Sequence, residues 1–374
     1  MMFVPLAKPA ISLLEKRYVL EVLDSGQLSF GQKLNQFEAA FRNQFSAKYA
    51  VAMNSGTSAL HVAVKSLGLG EGDEVITTPY SFVASSNCLL YEGVTPVFVD
   101  IDPLTLNIDT TRIEEKITPR TKAILAVHVF GQPCDMDEIN KIASKYNLHV
   151  IEDACEAIGA EWKGRKAGVL GDVGVFAFYP NKQITTGEGG ILLTNQEDLF
   201  RKASSLRNQG RDLESEWLDH PVIGYNYRMS DLQAAVGVAQ MERLQELLLK
   251  REVAAKRYIR LIEEYNPPVS IPNISPDCKM SWFIFAVILP ECTNRKLVMD
   301  RLKEKGIQTK PYFPSIHLQT SYISRYGFKP GDYPNSEKMS ERTLAIPFFT
   351  DLTPEEQEYV IHHLSQELKG AART

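Results

Sequence analysis

Short apolar runs alternate with stretches of helical spacing through the first two thirds of the chain. Residues 49–53 form an apolar run that predicts a strand, residues 54–58 a turn, and Leu60, Ala63, Val64 and Leu67 then recur on one helical face. Apolar runs at 74–77, 97–100, 122–129, 149–152 and 175–179 predict further strands, with helices at 82–90, 111–117 and 135–146 between them. Such alternation implies a mostly parallel sheet covered by helices on both faces. Ahead of it, residues 13–23 and 33–45 read as helices around a loop at 26–31. After it come a strand at 190–194, a helix at 197–206, an irregular segment at 208–228, and a long helix from 230 to about 265, bent near Lys250.

The remainder reads as a smaller α+β unit. Residues 282–289 are a continuous apolar strand, 294–305 a helix, 306–310 the start of another strand, and 311–334 a loop-rich aromatic stretch. Thr353, Pro354 and Glu356 supply an N-cap, a first-turn proline and a capping box for the last helix. The expected architecture is therefore α/β, with a large unit over 1–248 and a small C-terminal unit over 249–374.

Composition narrows the function. The chain has 374 residues, 44% hydrophobic and 23% charged, with a net charge of −5. That balance disfavours nucleic acid as a partner, because phosphate backbones select basic faces. Five scattered cysteines without C-x-x-C spacing indicate neither a disulfide frame nor a zinc site. No apolar run has membrane-spanning length and no signal pattern opens the chain, so the expected location is the cytoplasm.

Three places carry candidate chemistry. Strand 175–179 stops at Pro180 and is followed by Asn181 and Lys182, then by a glycine-bearing turn at 187–190. A lysine between apolar runs suits an amine that is neutral for part of its cycle, although a surface lysine beside a hairpin turn is also open. Ser55, Gly56 and Thr57 stand where a helix begins, and free N–H groups there favour a phosphate; an ordinary N-cap fits as well. Asp153 ends a strand, where α/β sheets bind ligands. The glycines at 68, 70 and 72 follow a helix and precede a strand, the wrong order for a dinucleotide fingerprint. Lysine, carboxylate and anion cradle together suit pyridoxal phosphate, which needs one of each.

The residues 54–60 (Asn-Ser-Gly-Thr-Ser-Ala-Leu), 152–154 (Glu-Asp-Ala), 178–182 (Phe-Tyr-Pro-Asn-Lys), 187–190 (Gly-Glu-Gly-Gly) and 224–229 (Gly-Tyr-Asn-Tyr-Arg-Met) make the chain similar, nearly end to end, to the fold-type I, DegT/StrS-type aminotransferases of nucleotide-linked keto sugars. The resemblance implies that Lys182 forms the internal aldimine and then shuttles a proton, and that Asp153 pairs with the pyridine nitrogen. Ser55, Gly56 and Thr57 would take the phosphate and Phe82 would stack on the ring, though a lone aromatic also suits core packing. Glu156 would lie near the ring hydroxyl, where relatives often have Gln or His. Asn226 would reach the phosphate of a partner subunit, which implies a homodimer. Ser29, Arg228, Lys310 and His317 would lie in the sugar-nucleotide site, and the loops near Ser29, 211–220 and 312–330 would set nucleotide selectivity. Ala177 departs from a serine that helps hold the phosphate in many relatives, so weaker cofactor retention is expected.

The implied reaction passes the amino group of L-glutamate, through the cofactor, to a nucleotide-linked 3- or 4-keto-deoxysugar. Two alternatives remain in view. Sugar dehydratases of the same family replace the lysine with His, which Lys182 argues against. A regulatory protein on this fold would not need the Lys182 and Asp153 pair.

Overall fold

The computed structural model describes residues 2–211 and 219–371. Residues 212–218, inside the expected selectivity loop at 211–220, lie outside the described residues. Among the described residues, thirteen strands are numbered in chain order. They are β1 (Tyr49–Met53), β2 (Glu74–Thr77), β3 (Thr95–Phe98), β4 (Thr121–Val127), β5 (His149–Asp153), β6 (Glu161–Trp162), β7 (Arg165–Lys166), β8 (Val173–Ala177), β9 (Gly190–Thr194), β10 (Cys278–Lys279), β11 (Phe285–Ile288), β12 (Lys310–Pro311) and β13 (Thr343–Ile346).

The central sheet has the order β1-β9-β8-β5-β4-β2-β3. Strands β3, β2, β4, β5 and β8 pair in parallel, and β9 inserts antiparallel between β8 and β1. Most of their residues are buried, and β1, β4, β8 and β9 read as largely apolar runs rather than as alternation. Side chains alternate between the layers. Val51, Met53, Leu125 and Val175 join Ala59, Val62 and Ala63 of the helix Gly56–Ser66. Ala50, Ala52, Phe176 and Leu193 face the other way, against Phe37, Phe41 and Phe45 of the helix Gln32–Phe45. Farther along that face, Ile76, Ile124 and Val150 meet Ile139 and Ile142 of the helix Met136–Tyr146. The fold is the expected α/β architecture of the fold-type I aminotransferases, a mostly parallel sheet between helices, with smaller sheets beside it.

The C-terminal sheet has the order β11-β13-β12 and packs against the helices Leu244–Tyr265 and Pro354–Ala371. The first residues join this core: Val4 is fully buried in it and pairs with Ile307. The capping box read at the last helix is present, with Glu356 N–H donating to Thr353 Oγ1 at 3.2 Å and Thr353 N–H to Glu356 Oε2 at 2.9 Å.

Several boundaries differ from the sequence reading. The long helix breaks at Arg243, not near Lys250, into Asp231–Glu242 and Leu244–Tyr265. The expected helix at 111–117 is two 3₁₀ turns, Thr110–Arg112 and Glu114–Lys116, joined at Ile113, whose side chain is buried. The expected strand at 282–289 is shorter, because Trp282 sits at φ 51°, in the left-handed region, and strand pairing begins at Phe285. The stretch 311–334 contains a 3₁₀ turn, Ile316–Leu318, and a helix, Thr320–Tyr326. Aromatic packing among Phe98, Tyr322 and Phe328 holds that helix, which local spacing does not announce.

Candidate active site

The carboxyl ends of β1, β5 and β8 open onto one side of the central sheet, where ligands bind in such folds. At the end of β1, Asn54 and Ser55 turn the chain into the helix Gly56–Ser66. Ser55 caps it, its Oγ accepting from Ser58 N–H at 3.1 Å, and Asn54 Oδ1 accepts from Ser58 Oγ–H at 2.7 Å. The cap reading is thus correct in itself. It leaves the N–H groups of Gly56 and Thr57 without acceptors inside the helix, at its positive end. Gly56 has no room for a side chain, since a Cβ there would lie 2.5 Å from Ala177 Cβ and 3.3 Å from Cys155 Sγ. A Cβ on Gly190 would strike the Ser55 carbonyl. Two glycines therefore press the first helical turn against the ends of β8 and β9.

Asp153 ends β5, between β4 and β8. It is 4% exposed; its Oδ2 accepts from Ser85 Oγ–H at 2.6 Å and its Oδ1 from Cys155 N–H at 3.2 Å. Ser85 Oγ is in turn 2.8 Å from Ser81 Oγ. The residue before it anchors the strand end. Glu152 is fully buried and accepts from Gly168 N–H and Gly171 N–H, each at 2.7 Å, and lies 3.0 Å from His128 Nε2.

Lys182 follows β8 in a tight excursion. Phe178 N–H donates to Gly189 O at 2.9 Å and Thr186 N–H to Phe178 O at 3.0 Å, closing the loop around it. Its Nζ lies 3.4 Å from Glu156 Oε1 and 3.9 Å from the centroid of the Phe283 ring. Glu156 Oε2 accepts from Phe130 N–H at 3.0 Å. Burial pushes the Glu156 carboxyl above the ordinary range, against the opposing pull of the Lys182 charge.

Ser55, Gly56, Thr57, Phe82, Asp153, Glu156 and Lys182 all line one cavity of about 490 Å³. Phe82 is 62% exposed, which excludes core packing as its role within this chain. Ser29, Asn226, Arg228, Lys310 and His317 do not line it. Ser29 is exposed and pairs with Ser230; Asn226 and Lys310 are exposed. Arg228 donates from Nη1 to Asn208 Oδ1 at 3.1 Å. His317 is fully buried, with Nε2 3.0 Å from Glu337 Oε1, and burial lowers its proton affinity. Sequence reasoning missed Ser85, Phe283, Asn181 and Tyr312, which also line the cavity. Asn181 follows Pro180 within the same motif as the lysine; nothing in the local sequence marks Ser85 or Phe283.

The residues present fit pyridoxal phosphate. An anion cradle, a hydrogen-bonded carboxylate and a primary amine share one cavity, and Asn181 adds a buried side-chain oxygen without a hydrogen-bond partner among the described residues. Among the described residues, no group of three or more His, Cys, Asp or Glu is placed to hold a metal ion, and no helix is long and apolar enough to cross a membrane.

Comparison with known proteins agrees with that chemistry. The model of the DegT/DnrJ/EryC1/StrS aminotransferase family matches residues 9–365. The chain is 40% identical over 368 residues to the GDP-perosamine synthase of Caulobacter vibrioides, covering 98% of each. It resembles Helicobacter pylori PseC, an aminotransferase involved in the biosynthesis of pseudoaminic acid, with a TM-score of 0.93 at 30% identity, over 99% of this chain and 100% of that one. NtdA of Bacillus subtilis, solved with bound cofactor PMP, gives a TM-score of 0.88 at 34% identity, over 96% of this chain and 83% of that one.

Proposed function

The chain belongs to the DegT/DnrJ/EryC1/StrS aminotransferase family and is a pyridoxal phosphate-dependent sugar aminotransferase, and we propose that it moves the amino group of L-glutamate to a nucleotide-linked keto-deoxysugar. The product would serve amino-sugar biosynthesis, for a surface polysaccharide or a glycosylated metabolite. The observation that carries the reading is the meeting of Lys182, Asp153 and the Gly56–Thr57 helix start in one cavity. A relative named GDP-perosamine synthase supports a nucleotide-linked acceptor.

Pyridoxal phosphate supplies, when bound, an aldehyde that accepts the amino group and a cationic ring that withdraws electrons from the reacting carbon. The chain's own groups do the rest. Gly56 and Thr57 orient the phosphate with their N–H groups, and Ser55 sets the turn that aims them. Asp153, held by Ser85, would favour a proton on the ring nitrogen. Lys182 would hold the cofactor through its Nζ, and the same amine would serve as the acid and base that moves a proton. Phe82, which lines the cavity, would cover one face of the ring. Glu156 lies 3.4 Å from the lysine and lines the same cavity.

Asn226 is exposed and lies away from its own chain's cavity, which supports a homodimer in which it reaches the partner's phosphate. Ser29, Arg228, Lys310 and His317 are proposed for the sugar-nucleotide side, the division near residue 248 as the boundary between the units, and the cytoplasm as the location. The test is a pair of half-reactions. L-Glutamate should bleach the visible band of the bound cofactor, and one member of a panel of nucleotide-linked keto sugars should restore it. A band indifferent to glutamate would contradict the donor, and a Lys182→Ala protein with full turnover would end the proposal.

A further inference from the structure

Tyr80, Ser81 and Phe82 follow β2 and meet three different neighbours. Ser81 Oγ lies 2.8 Å from the Ser85 hydroxyl that donates to Asp153, and Phe82 lines the cavity. Tyr80 turns away from solvent and is fully buried. Its hydroxyl lies 2.8 Å from Tyr312 O and 2.8 Å from Thr343 Oγ1, partners 232 and 263 residues along the chain. Thr343 Oγ1 is itself anchored, donating to Met339 O at 2.7 Å. A second tie joins the same stretches, since Ile316 N–H donates to Pro79 O at 2.8 Å.

What Tyr80 holds is part of the cavity wall. Tyr312 and Phe313 line the same cavity as Lys182. The Tyr80 ring meets Phe130 and Phe313 edge-on, with centroids 6.2 Å and 5.9 Å away, and Phe130 stacks on Phe313 at 5.4 Å. Ring contacts tolerate small shifts, whereas a hydrogen bond fades steeply with distance and angle. The Tyr80 hydroxyl therefore fixes the Tyr312 backbone more sharply than the Tyr80 ring does. Without it the Tyr312 carbonyl would lose its acceptor role in a place where an unmade bond is costly.

We propose that Tyr80 is a positioning residue that sets substrate size: by holding the Tyr312 carbonyl it keeps the Tyr312–Phe313 wall in place, and that wall limits the bulk of what reaches Lys182. The proposal rests on the reading of Lys182 as the amine around which donor and acceptor react. L-Glutamate is an open chain and a keto sugar is a substituted ring. A wall that yields would therefore change the choice of acceptor more than the use of the donor.

The experiment uses the full-length protein freed of cofactor. Lys182 is acylated by acetic anhydride or by the bulkier benzoic anhydride at one pH, and each rate is read by mass spectrometry. Glu156 Oε1, 3.4 Å from Nζ, bears on the amine alike for both reagents, so the ratio of the two rates reports the wall. Tyr80→Phe keeps the ring and removes the hydroxyl. The wall then opens more readily by the net worth of one hydrogen bond, and the benzoic-to-acetic ratio should rise about threefold to tenfold. Tyr312→Ala should raise the ratio too, and Tyr80→Phe should add little to it in the double variant. Thr343→Val takes away the other partner of the hydroxyl and leaves the Tyr312 bond; it should lower the melting temperature and keep the parent ratio. Circular dichroism monitors folding, and Tyr312→Ala keeps the proposal falsifiable if Tyr80→Phe folds poorly, because a parent ratio there would show that the wall limits nothing. A parent ratio in Tyr80→Phe, or an equal rise with both reagents, would overturn the proposal. So would full additivity in the double variant, or a Thr343→Val ratio that moves with that of Tyr80→Phe. The labelling needs neither cofactor nor acceptor, so failure to bind pyridoxal phosphate would count against the functional reading and leave this one to be decided on its own data.

Discussion

Gly56→Ala is a minimal change placed where the cradle leaves no room. The added methyl would lie 2.5 Å from Ala177 Cβ, 3.3 Å from Cys155 Sγ and 3.4 Å from Ala177 Cα. Carbon atoms are comfortable at about 3.5–4.0 Å, so the first contact is short by about 1 Å. Neither side yields easily. Ala177 pairs with Gly190 at the end of β8, and Gly190 itself abuts Ser55 and Gly56. Overpacking of this kind costs about 1–3 kcal/mol. The better helix propensity of alanine returns about 0.5–1 kcal/mol, for a net loss of about 1–2 kcal/mol.

The clash should also tilt the first turn away from the sheet, raising the dissociation constant for pyridoxal phosphate about tenfold if one cradle hydrogen bond is lost. Ala177→Gly removes the opposing methyl. In the double variant the remaining contacts are near ordinary packing, so stability and cofactor affinity should both largely return. The coupling energy in the cycle should be about 1–3 kcal/mol, with the two changes compensating each other. Urea unfolding of the cofactor-free chain gives the stability arm, and a fluorescence titration with pyridoxal phosphate gives the binding arm. A Gly56→Ala protein as stable and as tightly loaded as the parent would refute the reasoning, and so would a double variant no better than the single one.

Ala177→Ser puts a hydroxyl beside the same helix start without moving Cβ, and one new hydrogen bond of about 0.5–1.5 kcal/mol should tighten cofactor binding about threefold to tenfold by equilibrium dialysis. Ser85→Ala removes the 2.6 Å donor to Asp153 Oδ2; loss of this buried hydrogen bond to a charged group should lower the stability of the cofactor-free chain by about 1.5–3 kcal/mol in urea unfolding. Glu156→Gln tests the buried carboxyl. Burial raises its folded-state affinity for a proton above that in the unfolded chain, whose reference value is 4.5. The native state is therefore unpenalised below that pH and loses stability as pH climbs from it to the folded value. The glutamine variant lacks this loss, so its urea midpoint relative to the parent should rise over that window and stay level above it; a difference independent of pH would contradict the assignment.

The sheet was legible because its strands are mostly buried, so β1 and β9 stand out as nearly continuous apolar runs, and β2 and β5 keep an apolar centre between polar ends. The central chemistry was legible because Lys182, Asp153 and the Ser55–Thr57 turn follow strands in sequence, and strand ends converge in this architecture. What local pattern could not supply was contact across long separations. Ser85 meets Asp153 from 68 residues away. Phe283 meets Lys182 Nζ at 3.9 Å from another part of the chain. The helix Thr320–Tyr326 forms through packing of Tyr322 against Phe98, not through an apolar stripe of its own. Arg243 breaks the long helix while its side chain pairs with Glu15, a partner from the far end of the chain. His317 was placed toward the substrate by the resemblance, and its aromatic setting, which buries it against Tyr333 and 3.0 Å from Glu337, is a packing feature that family position does not convey.

Borohydride reduction of the loaded protein, followed by proteolysis and mass spectrometry, asks which side chain holds the cofactor. A single added mass of one reduced pyridoxal phosphate on the peptide carrying Lys182, absent from the Lys182→Ala protein, is the predicted result. The same mass on a different lysine, or its persistence after Lys182→Ala, would contradict the account.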